Sequence, residues 1–247
     1  MPNIYLSPST QDWNPYITGS GSEEEHMNLL ADALEPYLRS NGICWTRNRP
    51  EMTAAACIRE ANRGDYDFYL ALHSNASGEG QSGQNRGIIA FYYPESARGQ
   101  WGAELIAEEL RVIYPLPERV VTRGTTTLGE VRRSKAPAVL VEIGYHDNYA
   151  DAIWLEGHKE AIAQQLARAL CRFFDLPFFP PTEPMRGTVD VGEGTLNLRK
   201  RPEFGAEVLA SMPDQAEVMI YGEWQGWYLV HYGDLIGYAA AAYVNTL

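Results

Sequence analysis

The run Phe68-Tyr69-Leu70-Ala71-Leu72 leads straight into His73-Ser74-Asn75-Ala76-Ser77. It has a counterpart in Ala138-Val139-Leu140-Val141-Glu142, followed by Ile143-Gly144-Tyr145-His146-Asp147-Asn148. Short apolar runs that end in polar turns read as strands buried on both faces, the pattern of a sheet with helices on each side. Each strand delivers a titratable residue, His73 or Glu142, to its carboxyl end, where open α/β sheets keep their sites. A strand-end histidine by itself is ordinarily a hydrogen-bonded structural residue, and a lone strand-end glutamate is ordinarily solvated. The two together point to one shared site.

Outward from these strands the chain alternates in type. Strands are expected at residues 4–6, 42–48, 68–73, 88–93, 120–123 and 138–142, with helices at 23–40, 52–64, 98–114 and 148–174, the last interrupted near Gly157. That alternation is the grammar of a doubly wound α/β domain. Ser22 is placed to cap the first helix with Glu25 at the capping-box position, Asn41-Gly42 stops it, and Pro36 predicts a kink. Its apolar stripe is Met27, Leu30, Ala31, Leu34 and Leu38. Glu25 points away from the stripe, whereas Glu23 and Glu24 flank it, and periodicity does not choose between them for an inward role. Three acids in the first turn also suit the positive end of the helix dipole.

After residue 176 the composition changes. Residues 177–184 hold four prolines and read as a stiff, extended linker between residues 1–176 and 185–247. Beyond it, short strands are expected at 187–191, 196–199, 207–211, 217–223, 227–232 and 236–239, which fits a small all-β barrel.

Composition narrows the function. A hydrophobic share of 45% is that of a globular chain, and no apolar run approaches the ~18 residues of a membrane span. A net charge of −12 argues against a nucleic-acid partner, which would demand clustered Lys and Arg. Cys44, Cys57 and Cys171 fall in apolar stretches and read as small buried hydrophobes, not as a disulfide framework. No basic segment followed by an apolar run opens the sequence, so no signal peptide is visible. Oligomeric state leaves no mark in it.

The stretch Pro137-Ala138-Val139-Leu140-Val141-Glu142-Ile143-Gly144-Tyr145, with Asn148 behind it, resembles the zinc-dependent N-acetylmuramoyl-L-alanine amidases of the Amidase_3 type, which cut peptidoglycan. The likeness extends to His73-Ser74-Asn75-Ala76 and to Glu24 with Asn28 four residues on, and spans roughly residues 1–176. It implies Glu24 and His73 as zinc ligands, Glu142 as general base and Asn75 as a substrate-orienting residue. The implied reaction is attack of metal-activated water on the amide between N-acetylmuramic acid and L-alanine. In the family the first strand ends in Gly-His; here it runs Ser7-Pro8-Ser9-Thr10-Gln11, and Thr10 takes the place of a zinc histidine. Gln11 offers a carbonyl oxygen, a weak zinc ligand, and His26 and His146 offer imidazoles, so the third ligand stays unassigned. The alternative is a catalytically degenerate amidase fold kept as a peptidoglycan-binding or regulatory module.

The second segment resembles bacterial SH3-type domains through Thr195-Leu196-Asn197-Leu198-Arg199, Pro202, Gly226-Trp227, Val230, Ile236-Gly237-Tyr238 and Tyr243. That likeness implies a wall-binding role, with Trp224, Tyr228 and Tyr243 as candidates to stack on sugar or peptide. Peptidoglycan is the expected partner. The expected setting is the cell wall or the extracellular space, as an autolysin, or release as a phage endolysin.

Overall fold

The computed structural model describes all of residues 1–247. Its first six strands are β1 (Asn3–Pro8), β2 (Cys44–Arg47), β3 (Phe68–Asn75), β4 (Ile88–Tyr92), β5 (Val120–Gly124) and β6 (Ala138–Tyr145). They form one sheet in the order β2-β1-β3-β6-β4-β5. β1, β3 and β6 run parallel, while β4 pairs antiparallel with β6, so the sheet is mixed. The α/β architecture matches the expectation.

The helices of this region are α1 (Glu23–Ser40), α2 (Ala54–Ala61), α3 (Ala97–Arg111), α4 (Gly129–Arg132), α5 (Tyr149–Gly157) and α6 (Lys159–Phe174). α1 runs on through Pro36, and the last long helix breaks at His158. Strand alternation divides the core. Tyr5, Tyr69, Ala71, Ala138 and Leu140 pack with Cys57, Ala61 and Val131 on the face that carries α2 and α4. On the opposite face Phe68 meets Phe173 of α6 with ring centroids 4.7 Å apart. His73 and Glu142 continue the first set of side chains, which puts both on the α2/α4 face.

The C-terminal strands are β7 (Met185–Val189), β8 (Thr195–Arg199), β9 (Val208–Pro213), β10 (Glu217–Trp224), β11 (Trp227–Tyr232), β12 (Leu235–Ala240) and β13 (Val244–Thr246). They build an antiparallel sheet in the order β13-β7-β10-β11-β12-β8-β9. β10 and β11 are joined by Gln225-Gly226, both at positive φ, the primed turn that suits the twist of a tight hairpin. β13 was not expected from sequence; three residues are too few to show alternation.

The chain divides into two compact units, Asn3–Glu35 with Trp45–Phe174, and Met1–Pro2 with Pro36–Cys44 and Asp175–Leu247. The proline-rich stretch therefore belongs to the second unit. Phe179 is buried in that unit's core, its ring 2.9 Å from where a Cβ on Gly222 would lie. Asn41 holds it there: its Nδ2 donates to the carbonyls of Tyr37 (2.7 Å) and Phe179 (2.8 Å), and its Oδ1 accepts from Phe179 N (2.6 Å). No helix is long and apolar enough to cross a membrane.

Candidate functional site

Parallel pairing of β3 with β6 sets His73 beside Glu142. Two further carboxylates arrive from helices. Ser22 and Glu25 close a reciprocal capping box, Ser22 N donating to Glu25 Oε2 (2.7 Å) and Glu25 N to Ser22 Oγ (3.2 Å). That fixes the first turn of α1 and turns Glu23 inward, only 1% exposed, with Oε1 2.9 Å from His73 Nδ1. From α4, Glu130 brings Oε2 to 3.0 Å from His73 Nε2, while its Oε1 accepts from Tyr69 Oη and Ser7 Oγ, each at 2.8 Å. Each ring nitrogen thus faces a carboxylate oxygen, and each is a donor.

Electrostatics follows from this clamp. Burial opposes charge on His73, yet the bonds to Glu130 and Glu23 outweigh it and hold the imidazole pKa well above its ordinary value. Burial likewise works against ionised Glu23 and Glu130, and the bonds from His73, with its charge, overcome that and lower both. Glu142 has no such bond. Burial raises it to about 7, with the charge of His73 pulling down and those of Glu23 and Glu130 pushing up. Its Oε2 is buried and has no hydrogen-bond partner. His73, Glu130 and Glu142 line one cleft of about 730 Å³ with Gln11, Trp13, Met52, Ile58 and Leu128, while Glu23 lies against His73 Nδ1 and outside that lining.

The structure brings together His73, Glu142 and Gln11 of the residues expected from sequence. Glu24 also lines the cleft, but its Oε1 accepts from Asn28 Nδ2 at 2.9 Å, and the place at His73 belongs to Glu23. The helix stripe does not carry that signal: Glu23, Met27, Leu30, Leu34 and Leu38 follow one another by fours and threes, and so do Glu24, Met27, Ala31, Leu34 and Leu38. The bond between Glu23 and His73 decides it. Glu130 was missed entirely. A one-turn helix shows no periodicity, and Gly-Glu-Val-Arg reads as exposed; only its packing against Ser7 and Tyr69 reveals the role.

His26 and His146 make their bonds elsewhere: His26 Nε2 lies 2.9 Å from Ser20 Oγ, and His146 Nδ1 2.9 Å from the Ser74 carbonyl. Their rings lie near Tyr16, at 4.0 and 5.7 Å between centroids. Asn75 Oδ1 accepts from Ala76 N at 2.9 Å, a local turn bond. In the C-terminal unit Trp224 and Tyr228 pack against the core, and Tyr243 is 48% exposed. The cysteines are free.

The donor set does not fit a catalytic zinc. Such an ion takes about three protein ligands and keeps a position open for water, and no group of three His, Cys, Asp or Glu side chains here is arranged to hold a metal. Both nitrogens of His73 are engaged by carboxylates. Gln11 completes the shortfall with the wrong end of its amide. Asn14 Nδ2 gives one proton to Glu23 Oε2 (2.8 Å) and another to Gln11 Oε1 (3.1 Å). The Gln11 NH₂ is therefore the end turned toward Glu23 Oε1 (3.4 Å) and His73 Nδ1 (3.5 Å).

Comparison with known proteins is consistent with this fold. The catalytic domain of CwlV, an N-acetylmuramoyl-L-alanine amidase from Bacillus (Paenibacillus) polymyxa var. colistinus, superposes with a TM-score of 0.62 at 18% identity, covering 72% of this chain and 100% of that one. The amidase AmiC2 of Nostoc punctiforme gives 0.62 at 18%, covering 70% and 97%. The catalytic domain of the CD27L endolysin targeting Clostridia difficile gives 0.56 at 21%, covering 70% and 98%. No curated protein sequence matches the chain. The N-acetylmuramoyl-L-alanine amidase family matches residues 8–172, and the bacterial SH3 domain matches residues 194–245. Two thirds of the chain lie in the first match, and the chain belongs to the N-acetylmuramoyl-L-alanine amidase family, with a bacterial SH3 domain behind its amidase domain.

Proposed function

We propose that this chain is a peptidoglycan hydrolase that cleaves the amide between N-acetylmuramic acid and the L-alanine of the stem peptide, with Glu142 moving the proton. The observation that carries the reading is Glu142 itself, a half-buried carboxyl in the cleft whose Oε2 is buried and unpartnered, with a pKa raised to about 7. A general base works best when its pKa lies close to the working pH. Glu142 accepts a proton from water as the oxygen attacks the lactyl carbonyl carbon. It then returns that proton to the alanine nitrogen as the C–N bond breaks, leaving a carboxylic acid and a free amine, and the acid's proton passes to the amine to give carboxylate and ammonium. Gln11 lines the same cleft, and the NH₂ proton that it does not give to Glu23 is a donor toward the carbonyl oxygen as negative charge develops there. No step passes through zinc, because the residues present do not make its ligand set.

The bacterial SH3 domain supports peptidoglycan as the partner and the cell wall, the extracellular space or a phage lysin as the setting. Trp224, Tyr228 and Tyr243 are its candidate contacts, and Asn75 a candidate at the amidase cleft. A second reading, a silent amidase fold that only binds the wall, draws on the engagement of both His73 nitrogens by carboxylates. One experiment separates them. Purified peptidoglycan is incubated with the protein, and newly exposed alanine amino groups are labelled and counted. Hydrolysis should appear with the wild type and fall ~10²-fold or more in Glu142→Gln. Co-sedimentation with peptidoglycan without any release of alanine amine selects the binding module, and full activity in Glu142→Gln sinks the assigned role.

A further inference from the structure

We infer that Gln11 fills the position of a third metal ligand with a hydrogen-bond donor, so that this centre does not retain zinc. The inference deepens the function proposed above but stands on metal uptake, not on turnover. Two geometric facts carry it. Asn14 Nδ2 donates at once to Glu23 Oε2 and to Gln11 Oε1, and a carboxylate accepts only, so Asn14 cannot turn round and Gln11 must present its NH₂. That NH₂ stands 3.4 Å from Glu23 Oε1 and 3.5 Å from His73 Nδ1, at the apex that a third ligand would share with them. A cation placed there would meet two N–H dipoles pointing at it. Freeing the amide oxygen would break the Asn14 bond and set two NH₂ groups against each other.

The same geometry says what would restore a metal site. Glu130 already accepts at His73 Nε2, the outer bond that orients a metal-bound imidazole, which would leave Nδ1 and Glu23 Oε1 for the ion. What is missing is a neutral acceptor at position 11.

The test is zinc content by mass spectrometry after loading with excess ZnCl₂ and removal of free metal by gel filtration. Wild type is compared with His73→Asn, so that zinc bound at other sites cancels. The expected result is the same zinc content in both, within ~0.1 per chain, while Gln11→His gains about one zinc that the double variant Gln11→His/His73→Asn loses. Wild-type protein that holds about one zinc per chain more than His73→Asn overturns the inference, as does a folded Gln11→His that gains none. Should Gln11→His not fold, the wild-type comparison decides alone. Absence of hydrolysis would sink the proposed function and leave this result standing.

Discussion

Replacing Glu142 by Gln should make the protein more stable in alkaline buffer and leave it unchanged in acid. Folding raises this carboxyl from 4.5 to about 7, mainly through burial. A group whose pKa is raised in the native state holds more protons folded than unfolded, so its favourable contribution is full below about pH 4.5 and lost as pH climbs through about 7. The displacement corresponds to roughly 3 kcal/mol at about 1.4 kcal/mol for each tenfold change in proton affinity. Glutamine is nearly isosteric and cannot ionise. Urea unfolding of both proteins at pH 4.5 and pH 8 should therefore give matching stabilities at the lower pH and a gain of ~2–3 kcal/mol for Glu142→Gln at the higher. The same titration should appear as a rising limb of kcat/KM near neutrality in the wild type. A stability difference that is equal at both pH values would refute the claim that a buried, unpartnered carboxylate is the source.

Other outcomes follow from the same geometry. Glu23→Gln should cut hydrolysis by roughly 10²-fold by loosening His73, whereas Glu24→Gln should stay within about threefold of wild type; equal effects in the wall-hydrolysis assay would overturn the placement of Glu23. Asp151, fully buried, accepts from Arg86 Nε, Gly87 N, Tyr114 Oη and Tyr145 N. Asp151→Asn should lower unfolding free energy by about 3–5 kcal/mol, since it leaves the Arg86 charge without its partner. Asn41→Ala should cost about 2–3 kcal/mol in thermal or denaturant unfolding, because Phe179 N and two carbonyls lose a buried partner.

Much of the site was legible because strands display their order in sequence. Residues 68–73 and 138–142 are apolar runs with a titratable residue at the end, and a parallel sheet gathers strand ends without help from distant contacts. Helix contributions were harder. Glu23 and Glu24 differ by one residue in a turn where three acids also satisfy the helix dipole, and the stripe from Met27 to Leu38 runs on to either, so only the contact with His73 decides. Glu130 was invisible, since its role exists only once Tyr69 and Ser7 come beside it. Gln11 was visible as a residue but not as a direction; which end of its amide faces the cleft is decided by Asn14. The linker misled for a related reason. Its prolines announce extension, but nothing local says that Phe179 between them will be buried.

The bond between Asn41 and Phe179 also has a consequence in time. The two residues are 138 positions apart, and a ribosome adds roughly 5–20 residues per second. The asparagine at the end of the first helix therefore waits roughly 7–28 s after its own synthesis before the backbone it clasps exists. During that interval the helix end has its own backbone stop, Gly42 N to Arg39 O (3.1 Å) and Ile43 N to Leu38 O (2.9 Å), but the Asn41 side chain lacks Phe179 as its partner. The C-terminal segment thus completes the bonding of a residue made near the start of the chain.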